Sequence, residues 1–408
     1  MRPFFMEPVL SKPLAERNDF ILLLGGLSAL TALTIDITAP ATGVIARNLS
    51  VSESMGSMIV GVYFLSYGVG QLFWGLLSDA FGRKKVLLIS LALFTAASVG
   101  AALATSFWVL IAFRVAQGLS AGAPVIARAM VRDIGSGVVA AKILAVLMAV
   151  TAIAPMIAPI MGAGLMVLFS WRAIFVFLAL FGIALLLLSG FNTPETAKET
   201  RPERFSLRFV TYAFKYLFRQ RDFLVGMSVS SLTFGGYASV LSIGAVVVER
   251  MYALPPTAFG TIFAIGAIFI LGGSVAVRLL VGRIGLLNIG TISVSVLGVA
   301  SVLHAVLLFM EPTLTVFWGA VCMYMLAFGL ILPSAQAVAM EPAGDMPGFA
   351  SSVLGSMLMI AGALGTMVAG ALLDESHVAI SGTMTIFGVL AVGCFIAARV
   401  YDRRKVKG

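Results

Sequence analysis

The chain has 408 residues, 60% of them hydrophobic and only 11% charged, a balance that no water-soluble domain of this length could cover with a polar surface. Its net charge of +9 would point to nucleic acid only if the basic residues clustered on a soluble domain, and no stretch is left over to form one. The solvent is therefore lipid, and at about 20 residues per helical crossing the length allows about twelve spans, most economically two sets of six.

Residues 1–18 are polar with mixed charge, and the first apolar run is too long and lacks the small-residue cleavage pattern of a secretory signal, so nothing is expected to be removed. Apolar runs at 19–44, 54–76, 86–104, 107–130, 140–168 and 172–191 predict spans 1 to 6, an N-terminal bundle over 19–191. The segment 192–221 carries Glu195, Lys198, Glu199, Arg201, Glu203, Arg204, Arg208, Lys215, Arg219 and Arg221, too many charges for hydrocarbon, and is the linker. Within it, residues 205–219 mix aromatic and basic positions as a helix on the membrane surface would, the alternative being a plain extension of span 7. Runs at 222–248, 256–279, 286–309, 313–340, 347–373 and 378–402 predict spans 7 to 12, a C-terminal bundle over 222–402 followed by a basic tail at 403–408. Cys322 and Cys394 lie in apolar runs without a partner at metal or disulfide spacing and read as small core residues.

Of the 27 lysines and arginines, Arg114 falls inside span 4 and only Arg47, Arg172 and Arg250 lie on the side opposite the termini. Basic residues beside short spans are retained in the cytoplasm, so both termini and the linker are expected there.

Ionisable side chains inside hydrocarbon are costly and point to function. Asp36, between Ala-Leu-Thr-Ile and Ile-Thr-Ala-Pro, and Arg114, in Leu-Ile-Ala-Phe-Arg-Val-Ala-Gln-Gly, are the clear cases. Asp36 lies about 12 Å and Arg114 about 10 Å from the outer ends of their spans, at 1.5 Å per residue. Pro40 has no N–H to offer the Asp36 carbonyl, which predicts a kink. Burial favours a neutral carboxyl and a nearby guanidinium a charged one, so a change in either would load or release a proton at Asp36. The alternatives are a fixed Asp–Arg or Asp–hydroxyl pair that only holds spans together, and an Arg114 that serves as a packing strut.

Gly75-Leu-Leu-Ser-Asp79-Ala-Phe-Gly82-Arg83-Lys84-Lys85 joins spans 2 and 3, its glycines permitting a tight turn and its charges able to lock helix ends together with Arg128 and Arg132 after span 4. Span 5 carries Ala154-Pro155-Met-Ile-Ala158-Pro159-Ile-Met-Gly162-Ala163-Gly164, prolines four apart with small residues that let a bent helix pivot on a neighbour. The first pattern resembles the signature loop of the major facilitator superfamily, with Ala80 where the family usually has arginine. Arg114-Val-Ala-Gln117-Gly118 with Gly122 resembles that superfamily's span 4 motif, whose arginine is implicated in proton transfer. The span 5 pattern is similar to the antiporter motif of its proton-driven exporters, with Ala158 for the usual glycine.

Thr34-Ile-Asp36-Ile-Thr-Ala-Pro40, Arg128-Ala-Met-Val-Arg132-Asp133, Trp171-Arg172 and Pro194-Glu195-Thr196 resemble Bcr/CflA-type exporters of the twelve-span drug:proton antiporter group. The resemblance is residue by residue in the first half and in outline in the second. It implies an all-α fold of two six-helix bundles related by a pseudo-two-fold. It also implies export of mostly apolar or cationic compounds against an inward proton flow, with no cofactor, no metal and no nucleic acid, by a monomer in a bacterial inner membrane.

The second half repeats the first weakly: Val281-Gly-Arg-Ile-Gly285 holds the place of the signature loop, and Phe328-Gly329-Leu330 answers Gln117-Gly118-Leu119. Repeats of this kind place a binding site between the halves near mid-membrane. Asp36, Tyr237, Tyr324, Phe328 and Gln336, with Met323 and Met325, are the expected lining, although each of the second-half residues would serve equally as span packing or lipid contact. His304 and His377 receive no role. A carrier of one metabolite, a sugar or an amino acid, is the competing reading. An enzyme or receptor is disfavoured because no set of convergent catalytic groups occurs in the spans.

Overall fold

The computed structural model describes residues 13–407 apart from 136, 198, 201, 345, 374 and 375. Most of the expected N-terminal tail, linker residues Lys198 and Arg201, and residue 408 lie outside the described residues. Among the described residues, twelve helical spans are long and apolar enough to cross a membrane: Asn18–Asn48, Glu53–Phe81, Arg83–Ala102, Phe107–Ile134, Lys142–Leu168, Arg172–Asn192, Arg221–Tyr252, Pro256–Ile284, Leu286–Leu307, Leu314–Ala343, Pro347–Ala371 and Val378–Val400. No strand occurs among the described residues. Numbered in this order, they match the apolar runs to within a few residues. The main difference is at the ends of spans 2 and 3. Gly75 and Asp79 belong to the helix, which runs to Phe81, and the next helix starts at Arg83, so the turn between them is Gly82 alone. Helices continue past the hydrocarbon wherever the backbone bonds remain good, and the apolar pattern marks only the lipid-facing part.

The halves repeat in the contacts that glycine makes. Gly82 and Gly285 both adopt positive φ, 95° and 80°, between spans 2 and 3 and between spans 8 and 9. Gly118 of span 4 lies against the Tyr63 carbonyl of span 2, and Gly329 of span 10 against the Ile270 carbonyl of span 8. Counting back four residues from each, Met325 stands where Arg114 would be. A Cβ on Gly118 would come within 2.8 Å of the Tyr63 oxygen. Gly118→Ala is therefore expected to cost about 1–3 kcal/mol, measurable as a lowered melting temperature of the purified protein in detergent.

Across the interface between halves, span 2 packs on span 11 and span 8 on span 5, pairs that a two-fold exchanges. Ser356 Oγ donates to the Gly68 carbonyl at 2.6 Å, and a Cβ on Gly260 would stand 2.9 Å from the Pro159 oxygen. Span 7 is the most enclosed element, with 94% of its apolar stretch buried against 22% for span 8. The remaining surface is a belt of exposed apolar side chains, among them Leu22, Phe73, Trp108, Phe169 and Phe309, as a lipid-facing surface requires. Cys322 is buried as expected, whereas Cys394 is exposed on span 12, where lipid accepts a small apolar side chain as readily as a core does.

The linker forms its own helix, Leu207–Leu217, capped by Ser206 and separated from span 7 by extended Gln220. It is not an extension of that span. Its apolar face packs on the start of span 11, with Phe209 and Phe214 against Phe349 at ring-centroid distances of 6.0 and 5.2 Å. Arg208, Tyr212, Lys215 and Arg219 face outward.

Candidate functional site

Span 1 is two helices, not one. The first ends at Asp36, a 3-10 turn covers Ala39–Ala41, and the second runs from Thr42 to Asn48. The cause is local: Pro40 cannot donate to the Asp36 carbonyl, and Thr38 Oγ1 donates to the Ile35 carbonyl at 2.8 Å, competing with continuation of the helix. The break is packed against span 5, where Gly162 lies directly on the Ile37 carbonyl. One turn earlier on the same helix, the Pro159 carbonyl meets Gly260 of span 8. The Pro155, Pro159 and Gly162 segment thus joins the span 1 break to the opposite half. Span 5 itself remains one continuous helix through both prolines.

Asp36 is 4% exposed, and among the described residues no basic side chain forms an ion pair with it. Its carboxyl lies within electrostatic reach of the Tyr237 hydroxyl on span 7. Tyr237 stacks on Phe328 of span 10 at 5.1 Å, with Phe263 of span 8 at 6.3 Å. Phe234 lies 5.8 Å from Tyr237, 5.7 Å from Phe328 and 5.3 Å from Phe64 of span 2. One carboxyl and a wall of aromatic rings therefore meet where the halves join. Phe64, Phe234 and Phe263 did not stand out in the sequence because phenylalanine is ordinary in any span.

Tyr324 and Gln336 do not join this cluster. Tyr324 donates to the Thr233 carbonyl at 3.2 Å and its ring meets His304 at 6.2 Å and Gly388, so spans 7, 9 and 12 enclose it within the C-terminal half. Gln336 is half-buried two turns beyond Phe328, about 12 Å along the helix. His304 is buried with Nδ1 3.2 Å from Ser381 Oγ, and His377 Nε2 bonds the Leu307 carbonyl at 2.7 Å.

Arg114 is fully buried. Its Nε donates to the Ile59 carbonyl at 3.0 Å and Nη1 to Gln117 Oε1 at 2.7 Å, while Gln117 Nε2 donates to Ser98 Oγ at 2.7 Å. The guanidinium carbon sits 4.4 Å from the centre of the Tyr63 ring. Nη2 has no partner among the described residues. The similar depths of Arg114 and Asp36 thus do not make a pair: Arg114 points into the N-terminal half and Asp36 toward the C-terminal half. Span 4 is also broken, at Ser120–Gly122, where Trp74 Nε1 donates to the Leu119 carbonyl at 2.6 Å and Ser90 Oγ to the Ser120 carbonyl at 3.0 Å. Those side chains satisfy the freed carbonyls.

At the face that carries the linker, Arg83 joins three groups. Its Nε donates to Asp133 Oδ2 at 2.9 Å, and Nη1 to Ser78 Oγ at 2.8 Å and to Asp79. Glu195, after span 6, accepts from the backbone N–H groups of Arg83 at 2.9 Å and Lys84 at 3.1 Å, at the start of span 3. Arg132 lies within electrostatic reach of Asp79 and also lies against Gly348 of span 11; Arg128 is in the same helix. A cleft between the halves opens here, bounded by Gly75, Asp79, Arg132, Phe209, Phe349 and Ser352. Glu195→Gln removes a negative charge from a helix N-terminus and is expected to cost about 1 kcal/mol. A modest drop in melting temperature, with substrate affinity unchanged, would show it.

The opposite face is held by four charges that the sequence presented only singly. Arg47 of span 1 bonds Glu53 of span 2 at 2.6 Å and Glu249 of span 7 at 3.1 Å. Arg250 of span 7 reaches Glu53 at 3.2 Å. Gly43 packs beside Val246 just inside this quartet. The Arg47–Glu249 and Arg250–Glu53 links cross between the halves.

The family model described as Major Facilitator Superfamily matches residues 24–366. The chain belongs to the major facilitator superfamily. Its relatives include the bicyclomycin resistance protein homolog of Haemophilus influenzae, 28% identical over 380 residues, covering 91% of this chain and 94% of the relative. Multidrug resistance protein D of Escherichia coli K12 is 28% identical over 414 residues, covering 93% of this chain and 96% of the relative. Both of these relatives are named for drug resistance. In structure it is similar to a bacterial homolog of the lysosomal transporter Spinster in an inward-facing, unoccupied conformation. The TM-score is 0.74 at 17% identity, with 96% of this chain and 98% of the other covered. As a major facilitator with twelve spans, it is a multi-pass membrane transporter.

Proposed function

We propose that the chain is a proton-coupled antiporter that exports small apolar or cationic compounds across the bacterial inner membrane, with termini and linker in the cytoplasm. The observation that carries the reading is Asp36: a buried carboxyl without an ion-pair partner, at a helix break, facing aromatic rings supplied by the other half. A charged carboxyl without a partner is costly in hydrocarbon, so it binds either a proton or a cation. Competition between the two couples their flows. Aromatic faces attract cations and accept flat apolar molecules of varied shape, which favours drug-like substrates over a sugar.

Arg114 handles the proton inside the N-terminal half, and the Pro155, Pro159 and Gly162 segment transmits movement of the span 1 break to span 8. Gly75, Asp79, Gly82, Arg83, Lys84, Arg128 and Arg132 form the cytoplasmic gate. A monomer suffices, because one chain supplies every wall of the site, and the proton gradient is the only energy source required. The test uses purified protein in proteoliposomes with an imposed pH gradient and a panel including ethidium and chloramphenicol. Adding a transported compound should dissipate the gradient in step with its movement. Substrate movement that leaves the gradient untouched across the panel would overturn the reading.

A further inference from the structure

Buried hydroxyls on spans normally donate to the carbonyl one turn back. Thr34 does so to Leu30 at 2.6 Å, Ser66 to Val62 at 2.7 Å and Ser98 to Phe94 at 2.8 Å. Ser28 and Thr31 on span 1 do not, and neither of their oxygens has a partner among the described residues. The Tyr63 hydroxyl, which lies against Thr31 and Thr34, is likewise without a completed hydrogen bond, as is Nη2 of Arg114 over the same tyrosine ring. All four residues are more than nine-tenths buried. Each orphaned polar atom would cost about 1–3 kcal/mol if left dry, and buried water is the usual remedy.

The atoms follow one another along the span. Thr31 and Ser28 are successive turns toward the cytoplasm, and Ser28 lies about 12 Å below Asp36 at 1.5 Å per residue. At 100° per residue, Thr31 points about 140° away from Asp36 around the helix. One side of span 1 therefore turns the carboxyl toward the aromatic cluster, while Thr31 meets the Tyr63 hydroxyl and Ser28, about 60° round the helix from Thr31, follows one turn below it.

We propose that Tyr63, Thr31 and Ser28, bridged by water, form a proton path from Arg114 into the cytoplasmic half of the N-terminal bundle, separate from the substrate cavity. Along it each hydroxyl accepts a hydrogen bond from one water while donating to the next. A proton entering from water held by the free Nη2–H of Arg114 releases a different proton from the Ser28 end toward the cytoplasm, and the guanidinium and every hydroxyl keep their charge on completion. Tyr63 has two parts in this path: its ring supports the guanidinium, and its hydroxyl relays the proton toward Thr31 on span 1. The proposal rests on the proton coupling proposed above.

Tyr63→Phe keeps the ring and deletes the hydroxyl. Proton-driven ethidium efflux is expected to fall roughly tenfold and its pH profile to shift, while equilibrium ethidium affinity in detergent stays within about twofold. Thr31→Val should show the same split and Thr31→Ser should restore it. A wild-type efflux rate and pH profile in Tyr63→Phe and Thr31→Val would overturn the path while leaving antiport intact. Equal losses of affinity and rate in both variants would also overturn it, by making the hydroxyls part of the substrate site or the packing. Absence of proton movement in the wild type would instead defeat the coupling on which the path depends.

Discussion

Asp36→Asn is expected to lower pH-driven efflux by at least about a hundredfold, the scale of losing an essential proton-transfer group. Asparagine preserves size and hydrogen bonding but neither gains nor releases a proton in the working range. Folding should be spared, because the carboxyl has no ion-pair partner to strand. Removing one member of a buried pair costs several kcal/mol, and that penalty is absent here. Neutral compounds should still bind the aromatic cluster, and their exchange without a gradient should persist. Ethidium and chloramphenicol efflux in intact cells, with and without an imposed pH step, checks both halves of this expectation. Unchanged pH-driven efflux in the variant would remove Asp36 from the coupling role.

The second large effect is expected at the opposite face. Glu53 is shared by Arg47 and Arg250, so Glu53→Lys removes two links and places a third positive charge beside two others. Single pairs between half-exposed side chains are worth little. Reversal within a network that spans two moving bodies has more leverage, and a coupling of about 1–3 kcal/mol shifts their equilibrium by roughly 5- to 150-fold. The outward-open state should gain population. A reporter cysteine at Val246, buried just beneath the quartet, in a background without Cys322 and Cys394, should then react faster with an externally added maleimide. Adding Arg250→Glu, which re-forms the crossing link to position 53 with the charges exchanged and leaves Arg47–Glu249 in place, should slow it again. Equal labelling in all three proteins would show that the quartet does not hold this face shut.

How much of this could be read from the sequence depends on what kind of distance each feature involves. Spans were legible because crossing a bilayer imposes a length, and Pro40 announced the break at Asp36 because a proline's missing N–H acts on a carbonyl four residues away. The linker helix was legible for the same local reason, whereas in the Arg83 cluster only the Asp79 pair is local, Asp133 and Glu195 joining from elsewhere in the chain. Azimuth was not. Asp36 and Arg114 share a depth, but the direction in which each side chain points depends on helix rotation on both sides of two breaks, and so the pairing that depth suggested does not form. Tyr324 and Phe328 are one turn apart, yet a small rotation of span 10 puts one inside the C-terminal half and the other at the interface. The quartet was hidden for a different reason: Arg47 and Glu249 meet across about two hundred residues, through a pairing of bundles that no local pattern encodes.

The enclosure of span 7 has a consequence for how the protein is made. It is 94% buried in the finished molecule, and its partners come from both directions: span 1 precedes it in the chain, while span 11 follows four spans later. At the moment it enters the bilayer its glycine and serine faces have only the N-terminal bundle to shelter against. Domains assemble in the order of synthesis, so the first half works as a scaffold for the second. The two halves are first joined along the seam that span 7 makes with span 1.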